Sequence, residues 1–137
     1  MKGLLSLCFL LTVLTVNAQD LGKYQWQNRL LVILSYQENN PMIEKQLREL
    51  TSQQQALEER RLLTVVMTPE KYKLASEENK WVAGSNYSSY QSGKVFEVLL
   101  IGLDGQIKQR ESGIFTAGKL ISIIDSMPMR QAEIRGY

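Results

Sequence analysis

The residues best placed to do chemistry lie in Ser35–Gln46, read as SYQENNPMIEKQ. They follow an apolar run, Leu30 to Leu34, and open what reads as an amphipathic helix. At such a strand-to-helix junction, unpaired backbone N–H groups and the helix dipole would acidify a cysteine and make it a nucleophile. A Cys-x-Pro-Cys at this place would exchange thiols and disulfides. This chain instead has Asn39, Asn40, Pro41 and Met42. Asn39 forms no thiolate and Met42 resolves no disulfide, so thiol exchange and peroxidase chemistry at the junction are excluded. The same residues make a good helix start. Asn40 is a favoured N-cap, Pro41 suits the first helical position, and Glu44 sits where the dipole favours a carboxylate.

Composition narrows the chemistry further. The only cysteine is Cys8 and there is no histidine. Cysteine nucleophiles, Ser-His triads, histidine general bases and zinc sites built on Cys or His are thereby removed. Glu77-Glu78 reads as a solvated face rather than a metal site, and Lys71 and Lys73 sit in a polar stretch with nothing to desolvate them. No catalytic residue, metal site or cofactor is expected.

The first 18 residues read as an export signal. Lys2 is the charged start, Leu4 to Val16 is the apolar stretch, and Val16-Asn17-Ala18 places small residues before a cut. The stretch is short for a bilayer span, so no stable membrane insertion is expected after cleavage. Residues 19–137 then form one domain, large enough to bury a core. Without Lys2, 15 basic residues oppose 14 acidic ones, a net charge of +1 that gives no case for nucleic acid. The expected localisation is exported, periplasmic or extracellular, with a core that no disulfide supports.

These residues need elements to hold them. Arg29–Tyr36 and Leu62–Met67 read as buried strands, Lys94–Gly102 as a third, and Gln106–Arg110 as a fourth across an Asp104-Gly105 hairpin. Ile43, Leu47, Leu50 and Leu57 share one helical face between the first two strands, with Gln54 interrupting it. Glu70–Lys80 reads as a short helix and Trp81–Gly93 as a loop rich in Gly, Ser and Tyr. Thr116 caps a last helix that Pro128 ends, before a charged tail. Trp26 reads as core or edge cover. Arg60-Arg61 reads as a charge complement to a helix C-terminus rather than a phosphate site. The order β-α-β then β-β-α gives an α/β fold of thioredoxin-like type, a four-stranded mixed sheet with helices on both faces.

Four pieces of the chain, YQWQNRLLVI, EERRLLTVV, VLLIGLDGQIK and LISIIDSMPMR, resemble the bacterial domain of unknown function 4174. The last two are the more specific. Relatives of that domain occur in secreted animal proteins with sushi repeats. The resemblance implies a thioredoxin-like or peroxiredoxin-like fold, usually exported, with no established activity. It supplies no catalytic residue to carry over.

The expected role is therefore a non-catalytic binding or adaptor module for a protein or small ligand. Its candidate surface is the rim made by the helix start and the loop before the third strand: Gln37, Asn39, Asn40, Trp81, Tyr87 and Tyr90. The amides donate and accept hydrogen bonds, and the aromatics offer flat amphipathic area. Tyr87 and Tyr90, set among serines, are expected at the surface; Trp81 reads equally as packing. The alternatives are an enzyme of unrecognised type using carboxylate, Lys, Ser or Tyr groups, and a small structural or inhibitory exported protein. Asn86-Tyr87-Ser88 also fits a glycosylation pattern, relevant only to a eukaryotic secretory route.

Overall fold

The central strand explains itself. Arg29–Ser35 (β1) is buried along its whole length, and its side chains alternate between two apolar layers. Leu31 and Ile33 enter one core, and Leu30, Val32 and Leu34 enter the other. Leu62–Met67 (β2) runs parallel to β1, from Arg29 opposite Leu62 to Leu34 opposite Met67. Phe96–Ile101 (β5) lies antiparallel on its other side, and Ile107–Glu111 (β6) pairs beyond it. The turn into β6 holds Gly105 at φ +79, a left-handed conformation that glycine adopts without steric cost.

The computed structural model describes residues 21–77 and 80–136. The expected export signal, residues 1–18, and Glu78 lie outside the described residues. The connection from β1 to β2 is helical. Pro41–Thr51 (α1) is capped by Asn40, whose side-chain oxygen accepts from the Met42 N–H at 2.9 Å. The stripe does not run through one helix. The chain breaks at Ser52-Gln53 and resumes as Gln54–Glu59 (α2), yet Leu57 still reaches the core.

With Lys71–Leu74 as β3 and Val82–Ala83 as β4, the sheet has six strands rather than the four expected, in the order β4-β3-β2-β1-β5-β6. The expected four are all present and adjacent. The two extra strands come from residues read as a short helix and a loop. Lys71–Leu74 (β3) alternates Lys-Tyr-Lys-Leu, a period of two that fits the open edge of β2 better than a helix. Thr68 closes the hairpin, its hydroxyl accepting from the Lys71 N–H at 3.3 Å. Val82–Ala83 (β4) adds a two-residue edge, and Tyr87–Tyr90 (α3) forms a single helical turn.

Ala117–Asp125 (α4) starts at Thr116, which caps the Lys119 N–H at 3.3 Å. Together α1, α2 and α4 cover one face of the sheet through Ile43, Leu50, Leu57, Leu120 and Ile124. Leu21, Tyr24, Tyr87 and Tyr90 cover the other. Buried Gln46 faces the first core, where it donates to the Phe115 carbonyl at 2.9 Å and accepts from the Phe115 N–H at 2.7 Å.

The charged tail is not a tail. Pro128–Arg135 (α5) is a helix with Pro128 in its first turn and no buried residue. Ion pairs hold it. Glu133 accepts from Arg29 at 3.2 and 3.3 Å, from Arg61 at 2.6 Å and from Arg130 at 3.1 Å. Asp125, at the end of the preceding helix, accepts from Arg130 of α5 at 3.4 Å and from Arg60 at 2.8 and 2.9 Å. Arg60 also meets the expectation of a helix-end complement, donating to the Ala56 carbonyl at 2.7 Å. Arg29 is fully buried beneath this network. Burial works against the Glu133 charge, but the three guanidinium groups outweigh it and hold the carboxyl at about 2.

Candidate functional site

The strand-to-helix junction is built by β1 ending at Ser35. The Ser35 hydroxyl donates to the Gln37 carbonyl at 2.6 Å and turns the chain out of the sheet. Gln37, Glu38 and Asn39 are then exposed, and Asn40 closes the turn as the cap of α1. The side-chain oxygen of Asn40 is therefore spent on the helix, and Asn40 belongs to the frame of the site rather than to its surface.

The loop before β5 meets this junction directly. The Tyr36 N–H donates to the Val95 carbonyl at 2.9 Å, extending the β1–β5 ladder past the described strands. Both side chains point outward: Tyr36 is 65 % exposed and Val95 64 % exposed. Sequence reasoning missed both because it counted them inside buried strands. Their signal was positional, since each adjoins polar or glycine-rich residues, Gln37-Glu38 in one case and Gly93-Lys94 in the other.

Trp81 joins from the side. It is half-buried against the helical core, with Lys71 and Lys73 each placing an ammonium 4.9 Å from its ring centroid. Lys71 also pairs with Glu38. The chain Gln37–Glu38–Lys71–Trp81–Lys73 is thus one continuous edge. From Lys73 a groove of about 670 Å³ runs between α1–α2 and β2–β3, floored by Leu47, Leu50, Leu57 and Leu62.

Tyr87 and Tyr90 do not belong to that edge. They pack on the opposite face of the sheet with the second core, and Tyr87 is only 8 % exposed. Serine-rich surroundings suggested exposure, but α3 is one turn lying flat on the sheet, so its tyrosines face inward. Burial pushes the Tyr87 phenol up, helped by the Glu97 charge and by Tyr36.

Beneath the rim, Glu97 is almost wholly buried. It accepts from the Ser92 hydroxyl at 2.7 Å, the Ser92 N–H at 3.3 Å and Arg110 at 2.9 Å. Arg110 also donates to the Tyr90 carbonyl at 2.8 Å. Burial opposes the Glu97 charge, yet Ser92 and Arg110 keep its carboxyl below the usual range. This cluster fixes the loop that displays Val95.

Among the described residues no group of three or more acidic, Cys or His side chains could hold a metal ion. None of their helices is long and apolar enough to cross a membrane. A model of the family described as Domain of unknown function (DUF4174) matches residues 20–133, and the chain belongs to that family. No curated protein matches the chain.

Proposed function

We propose that the chain is an exported, thioredoxin-like module without thiol chemistry that binds another protein at its rim. The four strands β2-β1-β5-β6 support the thioredoxin-like reading: one parallel pair and two antiparallel pairs, in the order that a β-α-β unit followed by a β-hairpin produces. The β3–β4 hairpin extends that core at one edge. The export reading rests on the Lys2, Leu4–Val16 and Val16-Asn17-Ala18 pattern.

The observation that carries the binding reading is the pair Tyr36 and Val95. Two large apolar side chains stand in solvent on backbones fixed to each other, beside Gln37–Asn39. An aromatic anchor on a rigid support with polar neighbours is what a binding hot spot needs, because little conformational freedom remains to be lost on contact. The shifted carboxylates favour this over an enzyme. Glu97, Asp104, Glu111, Asp125 and Glu133 are all lowered by paired donors, which suits structural ion pairs rather than general acids near neutral pH.

The test is affinity capture from the source's envelope and culture extract, with the double variant Tyr36→Ala, Val95→Ala alongside. The proposal expects a protein kept by the native form and lost by the variant, at an unchanged melting temperature. Equal retention by both forms would remove the site from this rim.

A further inference from the structure

The end of β1 far from the rim gathers charge. Arg29 opens the strand, Arg60 and Arg61 follow α2, and Asp125, Arg130 and Glu133 come from α4 and α5. Four guanidinium groups therefore face two carboxylates. Asp125 holds Arg60 through two hydrogen bonds, so the cations that answer Glu133 from outside its own helix are Arg29 and Arg61.

Arg61 follows the end of α2 at φ 55, a left-handed position that glycine usually fills. An arginine there carries a backbone cost, and its side chain goes to the Glu133 carboxylate. Trp26, at φ 68, is the other described non-glycine residue with this backbone; at 59 % exposure it covers no core, contrary to the sequence reading. Arg29 is fully buried, with one terminal nitrogen donating to the Arg60 carbonyl at 2.9 Å. It meets Glu133 end-on through both terminal nitrogens, and its Nε has no hydrogen-bond partner among the described residues. The native carboxylate therefore leaves this guanidinium unsaturated.

The helix that brings the carboxylate is loosely seated. Helix α5 buries no residue and contributes none to either apolar core. Its large apolar side chains, Met129 and Ile134, stand in solvent. Met127, just before it, packs against the first core and fixes the point about which α5 can turn. Besides Glu133, Arg130 and Gln131 tie α5 to the body, both through Asp125 at the end of α4.

We propose that Glu133 is a removable occupant of a carboxylate site formed by Arg29 and Arg61. Helix α5 swings out from Met127, and the carboxylate of a small organic acid takes the place of Glu133. Planar guanidinium groups select a planar carboxylate, which accepts parallel N–H donors on both oxygens. A buried guanidinium without an anion is costly, so opening of α5 and binding of the acid favour each other. The site is separate from the rim, and its test does not depend on the rim having a partner.

Amide hydrogen exchange of the full chain is followed in sodium acetate and in sodium chloride at equal ionic strength. A ligand that binds only the open form multiplies its population by one plus the ratio of concentration to dissociation constant. Acetate at about ten times that constant should speed exchange of the α5 amides about tenfold and leave α4 and β1 unchanged. Glu133→Ala, which vacates the site, should gain roughly 5 °C in melting temperature from acetate over chloride. Adding Arg61→Gln to that variant should remove the gain. The native measurement decides the matter where Glu133→Ala does not fold. No acceleration in the native chain, or an equal acetate gain in the native, single and double variant forms, would overturn the proposal. So would α5 amides that exchange only together with those of β1, which would make the helix an integral part of the fold.

Discussion

Replacing Glu133 by glutamine should unlatch α5 and destabilise the whole domain. The helix buries no residue, and its main tie to the sheet is the Glu133 carboxylate, which Arg29 and Arg61 reach from outside the helix while Arg130 holds it from within. Holding Glu133 at about 2 rather than 4.5 corresponds to about 3 kcal/mol at neutral pH, at roughly 1.4 kcal/mol per tenfold change in proton affinity. The side chain is 15 % exposed, and solvent on that open side reduces the figure to about 2 kcal/mol. Loss of the carboxylate also leaves the Arg29 charge buried without its partner, which adds to the loss. A melting temperature lower by roughly 10 °C at pH 7 is the expected result for a domain of this size. The pH dependence has a definite sign. A depressed carboxyl stabilises the fold fully above its unfolded value of 4.5, and that stability is lost as pH falls toward about 2. The gap between native and Glu133→Gln should therefore be constant above about pH 5 and narrow below it. Urea titrations at stepped pH measure this. A variant within about 0.5 kcal/mol of the native form at pH 7, or a gap that widens in acid, would refute the reasoning.

Other outcomes follow from the same geometry. Gln46→Leu should cost about 3 kcal/mol in urea unfolding, because it strands both backbone groups of Phe115 inside the core. Asn40→Ala should lower stability by about 1 kcal/mol through loss of the α1 cap, without touching rim binding. Gly105→Ala should destabilise by about 1 kcal/mol, measured by thermal melting, because alanine is strained at φ +79.

Much of the frame was legible because it depends on local pattern. A run such as Leu30–Leu34 can only be a strand buried on both faces, and Asn40-Pro41 can hardly be other than a helix start. The β3–β4 hairpin was hidden because Lys71–Leu74 is half polar and earns strand status only from the open edge of β2. Helix α5 was hidden for a related reason. Its attachment comes from Arg29 and Arg61, far away in sequence, and the charges that read as a solvated tail are what they hold. The candidate site was half legible. Gln37, Asn39 and Trp81 do lie along one edge, joined by Glu38 and Lys71, whereas Tyr87 and Tyr90 pack on the sheet face opposite Trp81. Helix facing in a single turn depends on what lies beneath it, which no local pattern records. Tyr36 and Val95 were missed because the strand signal extends one residue past the sheet that buries it.

The central claim, that the rim holds a protein partner, is most directly tested by a photo-crosslinking residue at position 95 in the source organism. A matching residue at Gln55, exposed on α2, serves as the control. A discrete adduct of one partner should form from position 95 and none from position 55. Adducts of the same protein from both positions, or only from position 55, would contradict it.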